Sequence, residues 1–215
     1  MASREDHMIR VLIVDNHVLV REGFKKIITA EQDLAVAGEC KNASEVLDFF
    51  RDQLCDVIVL DIEMPGKSGL DLLLDLNKLV PNVKVLIQSV MPESQFAVRA
   101  LKMGAVGYIT KDAAADELVK AIRRVFSGRR YLSTDVSDLL LNMGNEVSLP
   151  HERLSDREFR VLQLIGSGKS VSEIAGILFL SVHTVNTYRK RIMEKMEMHS
   201  TAELIHYALK NNLTD

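Results

Sequence analysis

The first 128 residues alternate two kinds of apolar pattern, and this alternation limits the possible folds more than any other feature. Short runs rich in β-branched residues suit strands buried on both faces, and the stretches between them repeat apolar residues at helical spacing. The predicted strands are Ile9–Val14, Leu34–Ala37, Val57–Leu60, Val83–Ile87 and Gly107–Ile109. The predicted helices are Val18–Ile28, Ala43–Arg51, Leu70–Leu79, Ser94–Met103 and Asp116–Phe126. Strands that alternate with helices predict a doubly wound α/β domain with a five-stranded parallel sheet.

The rest of the chain is organised differently. Periodicity weakens over residues 129–150, where glycine, asparagine and proline interrupt a short helical pattern, and we interpret this segment as a linker. Residues 151–215 form an entirely helical pattern. Serines followed three positions later by glutamate predict capping boxes at three helix starts, and Ser181 is a fourth N-cap candidate. The three pairs are Ser155–Glu158, Ser170–Glu173 and Ser200–Glu203. We therefore expect two domains, residues 1–128 and 151–215, which suits a chain of 215 residues.

Charge is distributed unevenly between the two predicted domains. The net charge of −3 does not favour strong non-specific binding to nucleic acid, but the second domain carries nine basic and eight acidic residues, against 18 and 22 in the preceding 150. Four of its basic residues cluster in one predicted helix, namely Arg189, Lys190, Arg191 and Lys195. A clustered basic stretch of this kind indicates a candidate nucleic-acid contact.

The composition also bears on the compartment. No apolar run is long enough to cross a bilayer, and the polar N-terminus lacks the apolar core of a signal peptide. Cys40 and Cys55 are too few for a disulfide framework and fit no metal-ligand spacing. We expect reduced thiols in a cytoplasmic protein. Whether residues 1–7 belong to the natural chain stays open, because Met8 could also be a start.

Acidic residues follow two of the predicted strands. Asp15 comes after the first strand, and Asp61 and Glu63 come after the third. In the strand order 2-1-3-4-5 these strands flank the point where the order reverses, so Asp15 and Asp61 should converge. Close carboxylates repel each other unless a cation is present, and oxygen ligands with room for water suit Mg²⁺. A carboxylate beside Mg²⁺ can attack a phosphoryl group.

Two further polar residues follow the later strands. Ser89 ends the fourth strand and Lys111 follows the fifth. A hydroxyl and an ammonium at the same edge of the sheet would neutralise the charge of a transferred phosphoryl group.

These motifs together resemble the receiver domain of bacterial two-component response regulators, which has a flavodoxin-like fold. The resemblance covers about Ile9 to Gly128. The motifs are Val14-Asp15-Asn16-His17, Leu60-Asp61-Ile62-Glu63-Met64-Pro65-Gly66, Gln88-Ser89 and Gly107-Tyr108-Ile109-Thr110-Lys111. The resemblance implies that Asp61 accepts phosphate from a sensor histidine kinase and that the Met64-Pro65-Gly66 segment shapes the following loop.

The resemblance also implies roles for the surrounding residues. Asp15, Asn16, Asp61 and the backbone carbonyl of Glu63 would hold Mg²⁺. The switch and phosphate contacts would be Ser89, Tyr108 and Lys111.

Asn16 departs from the usual receiver pattern, which has two adjacent acidic residues after the first strand. An amide can bind Mg²⁺ but brings no charge. We therefore predict a lower Mg²⁺ affinity and slower phosphorylation than in a fully acidic pocket.

The basic helix of the second domain has one apolar face. Val185, Ile192 and Met196 fall at helical spacing with Tyr188 beside them, which predicts inward packing. Only about two residues separate this helix from the preceding one, as in a helix-turn-helix. Residues Leu154–Leu162, Glu173–Ala175 and Leu178–Ile192 resemble LuxR-type helix-turn-helix domains, over about Leu154 to Leu213. A receiver joined to such a domain is the arrangement of the NarL/FixJ class.

The predicted DNA-contacting set comes from the N-terminus and polar side of this helix, where amides and a positive dipole favour phosphate. The set is Ser181, Thr184, Val185, Asn186, Thr187, Arg189, Lys190, Arg191 and Lys195. We expect Asn186 and Lys190 to contact base edges. We expect Arg189, Arg191 and Lys195 to contact phosphates or acidic residues of neighbouring helices. Asn186 also departs from the lysine common at this position of the family.

The resemblance implies a phosphorylation-controlled transcription regulator rather than an enzyme, with double-stranded DNA as its target and a homodimer as its active form. The last predicted helix, Ser200–Leu209, could be a dimer surface or could pack on its own domain. Two other functions stay open at this point. The receiver could be a scaffold that never takes phosphate, supported only by Asn16. The chain could also be a Mg²⁺-dependent phosphatase, although Glu63 is its only candidate second acid and no insertion supplies a lid.

Overall fold

The computed structural model describes residues 8–64, 66–90, 93–133, 136–138 and 149–214, without the side chains of 93–95. The chain folds into two compact units, Met1–Gly144 and Asn145–Asp215. No helix within the described ranges is long and apolar enough to cross a membrane. The predicted loop residue Pro65 and most of the predicted linker lie outside the described residues.

The first unit is a five-stranded parallel sheet in the order β2-β1-β3-β4-β5, which confirms the predicted α/β fold. The strands are β1 Ile9–Val14, β2 Leu34–Cys40, β3 Val57–Asp61, β4 Lys84–Ser89 and β5 Gly107–Thr110. The helices are α1 Val18–Thr29, α2 Ala43–Asp52, α3 Gly69–Leu79, α4 Glu93–Lys102 and α5 Ala115–Phe126. Strand β3 is buried at every residue, as its continuous apolar run predicted, and β1 is buried at every residue except Arg10.

Strand β2 is three residues longer than predicted. The sequence Gly38-Glu39-Cys40 breaks the apolar pattern, yet these residues pair with Leu12, Ile13 and Val14 of β1 after a register shift. Phe49 of α2 packs directly over Gly38, where an added Cβ would lie 2.8 Å from the ring. Strand β2 therefore continues past Ala37 because Gly38 leaves room for the Phe49 ring of α2. The apolar pattern of the strand alone does not show this contact.

The end of the first unit also differs from the sequence interpretation. Tyr131 forms an isolated parallel bridge with Gly107 of β5, and Val136 is fully buried. The first unit thus extends past Gly128, into the segment that we had interpreted as the beginning of a linker.

The second unit is helical, as predicted. A short 3₁₀ helix at Pro150–Arg153 precedes α6 Asp156–Gly166, α7 Val171–Ile177, α8 Val182–Met196 and α9 Thr201–Lys210. Two of the three predicted capping boxes are complete, at Ser155 and Ser170, and the side chain of Ser181 accepts a bond from the Thr184 amide.

The capping box predicted at Ser200 is incomplete. Ser200 accepts a bond from the Glu203 amide, but the Glu203 carboxylate accepts from the His199 amide instead of the Ser200 amide. The φ angle of Ser200 is −144°, whereas the two complete boxes have N-cap φ angles of −65° and −68°. This rotation turns the amide of Ser200 away from the carboxylate.

A tight turn joins α7 and α8. Helix α7 ends at Ile177 with Leu178 as its C-cap, and Phe179 has a φ of +54° and is 96% exposed. This left-handed residue reverses the chain before Ser181 starts the next helix, which produces the predicted helix-turn-helix.

Candidate functional site

Asp15 and Asp61 meet at the carboxyl edge of the sheet, where the first and third strands end. Both side chains are buried. The Lys111 ammonium lies between them, with its Nζ 2.7 Å from Asp61 Oδ2 and 2.7 Å from Asp15 Oδ2. The predicted convergence of the two carboxylates and the lysine is therefore present in the structure, and the ammonium supplies the positive charge that the pocket needs.

Burial dominates the electrostatics of Asp61. Loss of solvent raises the pKa of Asp61 to about 6; Lys111 acts in the opposite direction, and the charge of Asp15 raises the pKa further. The amide of Glu63 donates to Asp61 Oδ1 at 3.0 Å. One carboxylate oxygen is thus bonded to the backbone and the other to Lys111, which fixes the orientation of the group.

Three further residues hold the side chain and backbone of Asp15 in place. The sequence interpretation had given none of them a role at the site. His17 donates its amide to Asp15 Oδ1 at 2.7 Å and keeps its Nδ1 2.9 Å from the same oxygen. Gln88 donates to Asp15 Oδ2 at 2.7 Å, and Arg21 donates to the carbonyl of Asp15 at 2.7 Å. His17 and Gln88 belong to the motifs quoted above but had been given no role, and Arg21 had no signal in the sequence.

A close approach of two backbones shapes the far wall of the pocket. Helix α3 begins at Gly69, whose amide donates to the carbonyl of Ile62 at 2.9 Å. A Cβ added to Gly69 would lie 2.0 Å from the carbonyl oxygen of Asp61. Only glycine allows α3 to start this close to the end of β3.

The donor atoms around Asp61 suit a divalent cation. One ligand atom each from Asp15, His17 and Asp61 lies within 4.8 Å of the others. The buried Oδ1 of Asn16 has no hydrogen-bond partner among the described residues, as suits an atom that binds an ion. The oxygen atoms of Asp15, Asn16 and Asp61 therefore fit Mg²⁺, and the ligand role of the Glu63 carbonyl stays a prediction.

The two predicted switch residues lie on neighbouring strands. Ser89 is fully buried at the end of β4, and its carbonyl accepts a bond from the Lys111 amide at 2.8 Å. Tyr108 of β5 is 1% exposed. Their placement is compatible with a switch, and their roles stay predictions.

Helix α8 presents a polar surface next to an apolar one. Lys190 and Arg191 are exposed, and Asn186, Thr187 and Arg189 are partly exposed. Val185 is fully buried and cannot contact DNA, which corrects its place in the predicted set, because it falls on the apolar face with Ile192 and Met196.

The hydroxyl groups of this surface are bonded within the helix. Ser181 Oγ accepts from the Thr184 amide at 3.0 Å and lies 2.8 Å from Thr184 Oγ1. The Thr187 hydroxyl donates to the carbonyl of His183 at 3.0 Å. Contacts from these residues to DNA would therefore share or replace an existing bond.

Lys195 contacts an acidic residue of a neighbouring helix. Its Nζ lies 2.6 Å from Oε2 of Glu158, the buried capping-box residue of α6. Burial raises the pKa of Glu158, but the bonds from Lys195 and Ser155 outweigh it and hold the pKa below its usual range. Of the two partners predicted for Lys195, the structure provides the acid, so this lysine is a weaker candidate for DNA contact.

Comparison with known protein families agrees with this geometry. Residues 11–123 match the response regulator receiver domain, and residues 152–208 match the LuxR family of bacterial regulatory proteins. The chain belongs to the response regulators. It joins a receiver domain to a LuxR-type DNA-binding domain, so the resemblance seen in the motifs is confirmed, and this is not a family of classical enzymes.

Relatives match over nearly the whole length of this response regulator. The response regulator GacA of Pseudomonas aeruginosa is 36% identical over 97% of this chain and 99% of the relative. The response regulator UvrY of Escherichia coli K12 is 35% identical over 96% of each chain. Among solved structures, the response regulator ChrA of a heme-sensing two-component system aligns with a TM-score of 0.52 and 31% identity, over 96% of this chain and 99% of the other. An RcsB–DNA complex aligns with a TM-score of 0.58 and 25% identity, over 93% and 96%.

Proposed function

We propose that this response regulator controls transcription through phosphorylation of Asp61 by a sensor histidine kinase. The observation that carries the proposal is the buried Asp61 carboxylate, held 2.7 Å from Lys111 Nζ and beside Asp15. In this arrangement Asp61 attacks the phosphorus of a phosphohistidine, a P–O bond forms, and the P–N bond to the kinase breaks.

The other residues of the pocket assist this transfer. Lys111 and the Ser89 hydroxyl neutralise the oxygens of the phosphoryl group. Asp15, Asn16, Asp61 and the Glu63 carbonyl would hold Mg²⁺ through their oxygen atoms. When bound, the ion supplies positive charge between the carboxylates and the phosphoryl oxygens.

Phosphate would then alter the surface of the receiver. Ser89 would be drawn towards Asp61, and Tyr108 would be repositioned, which changes the face formed by α4, β5 and α5. That change favours a receiver dimer or frees α8, so that two DNA half-sites are bound together in the cytoplasm.

Helix α9 supports the dimeric form. Leu204 and Ala208 pack within their own unit, whereas Leu209 is 56% exposed and Ala202 is also exposed. The two interpretations of this helix are therefore compatible, since one face packs and the other presents apolar surface to a second copy.

Selection of bound DNA from a random pool, with and without acetyl phosphate, tests the proposed function. We expect one sequence motif to be enriched, and more strongly after phosphorylation. Equal enrichment with a fully phosphorylated and an unphosphorylated receiver would instead support the scaffold alternative.

Replacing Asn16 with aspartate should raise the affinity for Mg²⁺ about tenfold, because one added charge near a divalent ion contributes on the order of 1 kcal/mol. Isothermal calorimetry measures this change. Asn82→Asp is the control, since it adds the same charge at the opposite edge of the sheet and should leave the affinity unchanged. Equal affinities for Asn16→Asp and the unaltered protein would contradict the ligand role of residue 16.

Two substitutions in α8 should separate base recognition from phosphate contact. Arg191→Ala should weaken binding to all sequences alike. It should also reduce the slope of log affinity against log salt concentration by about one. Asn186→Ala should instead relax the base preference. Fluorescence anisotropy on specific and scrambled duplexes at several salt concentrations measures both. Lys26→Ala removes one positive charge from an exposed position of α1 in the first unit and should have little effect. The reverse pattern would show that base and phosphate contacts are assigned wrongly.

A further inference from the structure

The outer edge of β5 is not left open. Strand β5 is the last strand of the sheet, so one side of its backbone lacks a partner strand. The amide of Tyr108 donates to the carbonyl of Tyr131 at 3.0 Å, and the amide of Tyr131 donates to the carbonyl of Val106 at 3.2 Å. The segment that follows α5 therefore pairs with the edge of the sheet at the predicted switch residue itself.

The end of α5 directs the chain to this edge. Gly128 has a φ of +77°, its amide donates to the carbonyl of Val125, and the Arg129 amide donates to the carbonyl of Arg124. This pattern is a Schellman motif, which reverses the chain at a helix end. The Arg124 side chain also donates to the carbonyl of Arg130 at 2.7 Å, which holds the residue before Tyr131 against α5.

The residues at the two ends of the bridge, Gly107 and Tyr131, are suited to this close contact. A Cβ added to Gly107 would lie 3.0 Å from the carbonyl oxygen of Tyr131 and 3.1 Å from its Cβ, so a side chain at that position would press on Tyr131. The Tyr131 hydroxyl donates to Glu117 of α5 at 3.3 Å, and its ring packs against the buried core. Backbone and side chain of Tyr131 are thus anchored separately.

We propose that this bridge couples the position of Tyr108 to the segment that leads to the DNA-binding unit. Tyr131 is the positioning residue in this coupling. The proposal rests on the proposed phosphorylation switch. Strand β4 and the Asp61 pocket lie on the inner side of β5, and Tyr131 lies on the outer side. Because β4 pairs with one side of β5 and Tyr131 with the other, a shift of the Tyr108 backbone towards β4 lengthens its bond to the Tyr131 carbonyl. The bridge opens on activation and frees the backbone of Tyr131 from the edge of β5.

Amide hydrogen exchange on the full-length protein tests the opening directly. With beryllofluoride and Mg²⁺ as the activating probe, exchange at the Tyr108 and Tyr131 amides should accelerate together by tenfold or more. The amides of Leu12 and Ile13 in β1, far from the bridge along the sheet, should not accelerate. Acceleration or slowing at Tyr108 with no acceleration at Tyr131 would overturn the proposal.

A pair of variants tests the consequence for DNA binding. Tyr131→Pro removes the amide that donates to Val106, whereas Tyr131→Ala removes the ring and hydroxyl but keeps the amide. We expect both variants to take phosphate from acetyl phosphate. Only Tyr131→Pro should lose most of the fold-increase in DNA affinity that phosphorylation produces.

Each result of the variant test has a distinct meaning. An unchanged response in Tyr131→Pro, or an equal loss in both variants, would overturn the coupling role of the bridge. If the unaltered protein takes no phosphate at all, the phosphorylation switch fails, which is a separate result from a bridge that stays closed in a phosphorylated protein. The exchange experiment needs no substitution and decides the matter if Tyr131→Pro does not fold.

Discussion

Asp61→Asn should take no phosphate from acetyl phosphate, whereas the unaltered protein is phosphorylated under the same conditions. The substitution replaces the attacking carboxylate with an amide of nearly the same shape, and an amide is not a nucleophile at neutral pH. Because Asp61 is the buried carboxylate that Lys111 and the Glu63 amide orient, no other acid should replace it. Intact-mass spectrometry after incubation measures the fraction that carries phosphate.

The control for this experiment is Asp52→Asn, at the exposed end of α2. It makes the same chemical change away from the pocket and should be phosphorylated like the unaltered protein. A phosphorylated Asp61→Asn protein would place the acceptor elsewhere.

Gly69→Ala should lower the free energy of unfolding of the receiver unit by about 3 kcal/mol or more, which is the upper range for overpacking. The added methyl would lie 2.0 Å from the carbonyl oxygen of Asp61. That oxygen belongs to the backbone, so no change of rotamer can relieve the overlap, and either α3 or the end of β3 must move. The midpoint of urea unfolding, followed by far-UV circular dichroism, measures the effect.

Gly23→Ala is the matched control in the same unit. Gly23 lies within α1, and no described atom lies within 4 Å of its added Cβ beyond those of its own helix backbone and chain neighbours. Alanine is favoured over glycine inside a helix, so this variant should be more stable by up to about 1 kcal/mol. Equal unfolding midpoints for the two variants would contradict the tight packing of α3 against β3.

Most of the secondary structure could be predicted from the sequence because its signals are local. Continuous apolar runs such as Val57–Leu60 suit strands buried on both sides, and helix starts carry capping serines. The strand order then placed Asp15 and Asp61 together, since parallel strands end at the same edge. Strand β2 was predicted too short because its end depends on Phe49, a residue of another element.

The contacts that orient the site residues could not be predicted in the same way. Gln88 reaches Asp15 across 73 positions of sequence, and Lys195 reaches Glu158 across 37. Neither pair leaves a periodic pattern. The sequence therefore left Lys195 with two possible partners, a DNA phosphate or an acidic residue of a neighbouring helix, and Gln88 looked like part of a strand motif only.

The sequence by itself determined the two families, the sheet order and the acidic residues around Asp61, because periodicity, caps and strand-end motifs act over a few residues. Tertiary structure alone decided which side chains hold those residues in place. It brought Gln88, His17 and Arg21 to Asp15, pressed Gly69 against Asp61, and paired Tyr131 with the edge of β5. These contacts depend on the distance of approach between elements far apart in the chain, which packing of the whole unit sets.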